Sequence, residues 1–316
     1  MDVTVVGAGV IGLATARALE ERGHSVRVVA AASGAHTTSW IAGAVWFPYR
    51  AGPPHKVTAW AARTRVWLEE LARTTPEAGV DVLTGYEITS DADDPWWKHA
   101  CPIERVPAPV TGAPAAWSFR APRCEPAMFL PWLERGLAAP IERRAVTDLD
   151  AELGDIVINC TGLAARELCG DRELSPIRGQ ILICAPGAVD LTTTITDDRD
   201  PEQIFYIIPR RSELVVGGIA KPWTGSGLPP IDDDITTRIQ RQAAALGIAI
   251  GEIRAVRTGL RPYRPEVRLE REGRIIHNYG HGGAGFTLAR GCAEDVVALA
   301  EHAADVQPDG GRPDEQ

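Results

Sequence analysis

The chain has 316 residues, 45% of them hydrophobic, and a formal net charge of −9. Such a composition predicts a globular protein with a core sized for one large domain or two, and the acidic balance argues against a nucleic-acid partner, because phosphate binding needs a basic footprint. There is no apolar run long enough to cross a bilayer and no secretory leader, and six cysteines without a CxxC pair read as reduced thiols, so a cytoplasmic protein with no membrane partner is expected.

The chain opens with the β-branched run "DVTVV", followed at once by "GAGVIGLATARALEERG". Leu13, Ala16 and Leu19 recur at helical spacing, Gly23 stops the helix, and "HSVRVVA" supplies a second strand. A Ser/Thr segment, "SGAHTTS", and "WIAGAVWFPYR" come next. Between about residues 52 and 140 tryptophans and prolines become dense, and "HKVTAWAARTRVWLEELART" reads as one amphipathic helix. "GDIVINCTG" is a buried strand ending in a tight turn at Thr161 and Gly162. "QIFYIIPRRSELVVGGIA" alternates as a hairpin turning at Arg210–Ser212. An aspartate-capped helix follows in "IDDDITTRIQRQAAALG". The Arg-rich stretch from Arg254 to Arg274 is interleaved with glutamates and reads as a self-paired strand surface. The chain then gives a strand, the loop "HNYGHGGAGFT" and a long last helix. The tail "VQPDGGRPDEQ" has the composition of a disordered segment.

Gly7, Gly9 and Gly12 have the dinucleotide-binding spacing between a strand and a helix. The first allows the tight turn, the second lets a pyrophosphate reach the backbone, and the third lets helix and strand pack closely. An acidic residue about 20 positions later usually holds the ribose, but no Asp or Glu occurs between Glu21 and Glu69. Ser33, Thr37, Thr38 or backbone groups are left to hold it. His277 and His281 lie four apart, yet Gly280, Gly282, Gly283 and Gly285 oppose the helix that a shared metal needs. No metal is expected. His277 is expected to end a strand and His281 to hydrogen-bond within the turn.

Seven blocks in order, "VVGAGVIGL", "HTTSWIAGAVWFPY", "VINCTGL", "RGQI", "YIIPR", "TGLRPYRPEVRLERE" and "HNYGHGGAGFT", resemble the D-amino-acid oxidase family and span nearly the whole chain. The resemblance implies an α/β fold: a discontinuous Rossmann-like FAD-binding domain (residues 1–50, 141–180 and 265–316) and an antiparallel β-sheet-rich substrate-binding domain (51–140 and 181–264). It implies non-covalent FAD, held by Gly7, Ala8, Gly9, Val10, Ile11 and Gly12. Further contacts come from Ser33, Thr37, Thr38 and Ser39, from Gly43, Ala44, Val45 and Trp46, and from Thr161 and Gly162. Arg261 and the run Gly282, Gly283, Ala284, Gly285, Phe286 and Thr287 complete the cofactor set.

By the same resemblance, Arg261 and Tyr206 bind the substrate carboxylate, the Gly283 carbonyl accepts from the amine, and Val45, Phe47, Ile195 and Ile208 form an apolar pocket. Glu202 stands where vertebrate members carry a lid tyrosine, so a missing or shorter lid is expected. The implied reaction moves hydride from Cα of a neutral D-amino acid to flavin N5, with no side chain as acid or base, giving a 2-oxo acid, ammonia and, from O₂, hydrogen peroxide. Arg199, Arg210 and Arg211 keep a D-aspartate alternative open. A glycine or sarcosine oxidase, a NAD-dependent dehydrogenase and a non-catalytic flavin-binding module are the other readings. The sequence also leaves room for a homodimer.

Overall fold

The computed structural model describes residues 1–91 and 93–302, so the tail expected to be disordered lies outside the described residues. Strand β1 (Asp2–Ala8), helix α1 (Val10–Glu21) and strand β2 (Ser25–Ser33) form the first unit. The Ser/Thr segment contains one helical turn, α2 (Thr38–Ile41). The amphipathic helix is α3 (Pro54–Thr74), opened by a proline in its first turn, where the missing N–H costs nothing. Then come β3 (Val80–Thr89), β4 (Ile103–Pro107), β5 (Ala115–Cys124), α4 (Pro126–Arg135) and β6 (Glu142–Arg143). The second buried strand is β7 (Ile156–Asn159), with α5 (Ala165–Leu168) after its turn.

Strands β8 (Ser175–Cys184) and β9 (Thr193–Asp197) precede the expected hairpin, β10 (Phe205–Pro209) and β11 (Leu214–Gly217). After β12 (Lys221–Pro222), α6 (Asp233–Ala245) starts at Asp232, whose carboxylate accepts the N–H groups of Asp234 and Ile235 at 3.0 and 3.2 Å. The chain ends in β13 (Ile253–Glu272), β14 (Ile275–His281) and α7 (Gly285–Glu301).

All the strands join one sheet, in the order β4-β5-β3-β9-β10-β11-β8-β13-β14-β7-β1-β2-β6, with β12 beside β8. From β14 to β6 every pairing is parallel; from β8 to β9 and between β8, β13 and β14 they are antiparallel. The mixed α/β architecture with a Rossmann-like parallel portion and an antiparallel portion is therefore present. The expected limits at residues 180 and 264 fall inside β8 and β13, which run on without a break. Likewise α3 and α4, assigned by sequence to the substrate half, turn their apolar faces to α1 and α7. Val57, Trp60, Leu68, Phe129 and Leu133 share one core with Leu13 and Val296. A second core lies under α6, where Ile235 and Ile239 pack on Leu182, Phe205, Ile207 and Val216.

β14 continues to His281, so His277 is a mid-strand residue opposite Asn159 and Glu270 rather than a strand end. Four strand residues span about 13 Å, too far for two imidazoles to share an ion. Among the described residues no cluster of three His, Cys, Asp or Glu could hold a metal, and no helix is long and apolar enough to cross a membrane. All six cysteines are free thiols.

Candidate active site

A cavity of about 570 Å³, within the usual range for ligand pockets, runs from the β1–α1 turn to the antiparallel sheet. At one end lie the three motif glycines. Gly7 has φ +115°, and a Cβ there would lie 2.4 Å from the Cys160 carbonyl oxygen. At Gly12 a Cβ would lie 2.0 Å from the Gly7 oxygen, so this glycine is a packing residue and does not itself border the cavity. Gly9 does border it, and the neighbouring Val10 N–H donates to Ser39 Oγ at 3.0 Å. Ala8, Ile11, Thr37, Thr38, Gly43, Ala44, Thr161 and Gly162 line the same space. Thr161 is fixed by its N–H and hydroxyl, which both donate to Asn159 Oδ1, at 3.2 and 2.8 Å.

At the other end Arg261 projects from β13. Its Nη1 donates to the Ile219 carbonyl at 2.9 Å, and Nη2 lies 3.4 Å from the Tyr206 hydroxyl. Among the described residues Arg261 makes no ion pair, unlike Arg264, which pairs with Asp171, and Arg268, which pairs with Glu270 and Glu272. Small residues leave room for both groups. A Cβ on Gly179 would sit 2.8 Å from Arg261 Nη1, and one on Gly217 would sit 2.2 Å from the Tyr206 ring. Val45, Phe47 and Ile208 give this end apolar walls, and Gly283 closes it, packed so tightly on Tyr49 that a Cβ would meet the ring at 2.5 Å.

Besides Gly12, five sequence-expected residues lie outside the cavity lining. Ile195 pairs with Ile207 and points into the core under α6; one residue on, Thr196 pairs with Tyr206 and borders the cavity. Strand alternation sends neighbours to opposite faces. Trp46, between Val45 and Phe47, faces away from the cavity into the core and donates its indole N–H to the Ala61 carbonyl at 2.9 Å. Thr287 spends its hydroxyl on the Phe47 backbone, at 3.1 and 3.0 Å. Ser33 and Ala284 are buried outside the cavity lining, while Gly282, Gly285 and Phe286 border it.

Residues to which the sequence analysis gives no part in binding also line the site. Tyr49 carries a buried hydroxyl, pushed up to about 12 chiefly by burial, with Arg50 and Arg261 opposing. His281, expected to hydrogen-bond locally, has a buried Nε2 with no partner among the described residues, and burial pushes the ring down to about 3. Asn278 Oδ1 is a third buried atom of this kind. Buried polar atoms are normally hydrogen-bonded, so three of them around one cavity fit a polar cofactor and substrate. The glycine cradle at β1–α1 fits the pyrophosphate of a dinucleotide.

A Rossmann-like parallel sheet with this cradle, joined through one cavity to an antiparallel sheet whose Arg261 has no carboxylate partner among the described residues, fits a dinucleotide-dependent oxidoreductase. A model of the FAD dependent oxidoreductase family, DAO, matches residues 2–299, and the chain belongs to that family. It is thus an enzyme and its cofactor is FAD. It is 42% identical over 317 residues to the D-amino-acid oxidase of Rubrobacter xylanophilus, with 94% of each chain covered. To the D-amino-acid oxidase of Streptomyces coelicolor it is 40% identical over 311 residues, covering 95% of this chain and 96% of the other. The crystal structure of a glycine oxidase from Bacillus cereus superposes with a TM-score of 0.76 at 20% identity, over 96% and 95% of the two chains, and shows the fold alone.

Proposed function

We propose that the protein oxidatively deaminates D-amino acids with neutral, preferably hydrophobic side chains, producing 2-oxo acids, ammonia and hydrogen peroxide. The observation that carries this reading is the half-buried Arg261 guanidinium, without a carboxylate of its own, beside the Tyr206 hydroxyl and under apolar walls. A planar fork of donors suits a substrate carboxylate, and the phenol adds a third donor. The Gly283 carbonyl accepts from the amine, which fixes the substrate at three points and selects one enantiomer. FAD, when bound, supplies the two-electron acceptor that takes hydride from Cα and passes the electrons to O₂. Val45, Phe47 and Ile208 exclude water from the reacting carbon. Gly285 and Phe286 open helix α7 at the cavity, so its first-turn N–H groups favour negative charge there.

The arginines that kept D-aspartate open are otherwise engaged. Arg199 pairs with Asp197, Arg210 with Glu213 and Glu125, and Arg211 with Asp81; none of the three borders the cavity. That supports the neutral-substrate reading. The free thiols support a reducing compartment, and we place the activity in the cytoplasm. The test is the visible spectrum under anaerobic conditions: D-alanine or D-valine should bleach the bound flavin, and the L enantiomers should not. Bleaching by L only, or by neither, overturns the proposal.

A further inference from the structure

The end of β2 that normally carries a ribose carboxylate reads Ala30-Ala31-Ala32, and all three alanines border the cavity. A different polar group stands next to them. β6 pairs in parallel with β2, with Arg143 opposite Ala30, and the Arg144 N–H donates to the Ala30 carbonyl at 3.2 Å. Arg144 therefore leaves the edge of the sheet beside residue 31, and it borders the cavity together with Ala145 and Val146.

The guanidinium of Arg144 is clamped. Its Nε donates to Glu142 at 2.6 Å, and Nη1 and Nη2 donate to the two oxygens of Glu152 at 2.7 and 2.5 Å. Glu152 is only 6% exposed, and hydrogen bonding from Arg144, opposed by burial, holds its carboxyl below the usual range. Glu142 and Glu152 compensate the charge of this one guanidinium, so Arg144 itself offers little to attract a phosphate. What remains is a rigid, planar, weakly hydrated surface, of the kind that stacks on aromatic rings. Ala30, Ala31, Ala32 and Val146 border the cavity beside it, an apolar lining suited to a base better than to a sugar hydroxyl.

We propose that Arg144 replaces the missing ribose carboxylate as the adenosine anchor, its clamped plane stacking on the adenine of FAD. Affinity for the adenosine half then depends on a flat side chain at position 144, and the flavin half is indifferent to it. Nothing in this depends on which amino acid is oxidised.

The experiment uses apoprotein and measures the Kd of FAD and of FMN, which lacks the adenosine, by fluorescence titration. Arg144→Lys keeps a cation for Glu152 but removes the plane. It should weaken FAD about tenfold, the scale of one lost stacking contact, while FMN changes less than twofold. Arg144→Ala should weaken FAD at least as much; because it also strands buried Glu152, its melting temperature is read alongside and the lysine variant decides the matter. Unchanged FAD affinity in Arg144→Lys overturns the proposal. Parallel losses for FAD and FMN overturn it too, since they assign Arg144 a role in the fold and none toward adenine.

Discussion

Gly179 touches no substrate in the proposed site, yet replacing it with alanine should impair substrate binding through Arg261. The glycine lies on β8 opposite Gly259 of β13, with no positive φ to strain an alanine. Its new Cβ would stand 2.8, 3.0 and 3.1 Å from Nη1, Cζ and Nη2 of Arg261. Ordinary contact requires roughly half an ångström more, so the guanidinium must retreat. It cannot do so freely, because Nη1 is held by Ile219 at 2.9 Å and Nη2 faces Tyr206. Losing one of the charge-assisted bonds to the carboxylate costs about 1.5–3 kcal/mol. That corresponds to about a 10- to 150-fold drop in kcat/KM. Since the proposed grip on the carboxylate acts in the ground state as in the transition state, most of the loss should fall on KM. Steady-state peroxide production from D-alanine, with the melting temperature as a check on folding, measures it. A kcat/KM within twofold of the parent, in a protein that melts normally, would refute the carboxylate-binding role of Arg261.

Three further outcomes are expected. Tyr206→Phe removes the proposed phenol donor to the substrate carboxylate and should lower kcat/KM by about tenfold or more, without bleaching the resting flavin spectrum. Gly7→Ala combines φ +115° with a Cβ 2.4 Å from the Cys160 oxygen, and the purified variant should lack visible flavin absorbance. Glu87, on β3 opposite Thr196, is raised to about 8 by burial and, less, by Asp198. The folded protein thus keeps a proton that the unfolded chain releases above its ordinary value of 4.5, and stability is lost as pH rises from there to about 8. Glu87→Gln should therefore gain on the parent in melting temperature between pH 5 and pH 8; a constant difference contradicts the assignment.

The cofactor end is the more legible part of the sequence because its signals are local. A glycine cradle, a strand and a helix lie within twenty residues, and their spacing implies their geometry. The substrate end depends on which face of a strand a residue takes. In "TTTITD" both faces are covered, one by the core under α6 and one by the cavity, so no contrast of polar and apolar residues fixes the phase. The expectation for Ile195 is one residue out for that reason, and Thr196 takes its place at the cavity. Trp46 falls in with Val45 because a contiguous motif hides which side each residue faces. Tyr49 lies inside the same motif, but its orphaned hydroxyl shows only once Gly283 is packed on its ring. Arg144 is invisible in the sequence because β6 is two residues long and meets β2 more than a hundred positions away along the chain.

Strand β13 is twenty residues long and hydrogen-bonds to β8 with its first part and to β14 with its last. It is a beam that both halves of the molecule share, and Arg261 sits on it midway. Neither half can be cut out as an independent piece without exposing a raw sheet edge to the solvent, so each would be prone to self-association if expressed alone. The two halves should also melt together, in a single calorimetric peak.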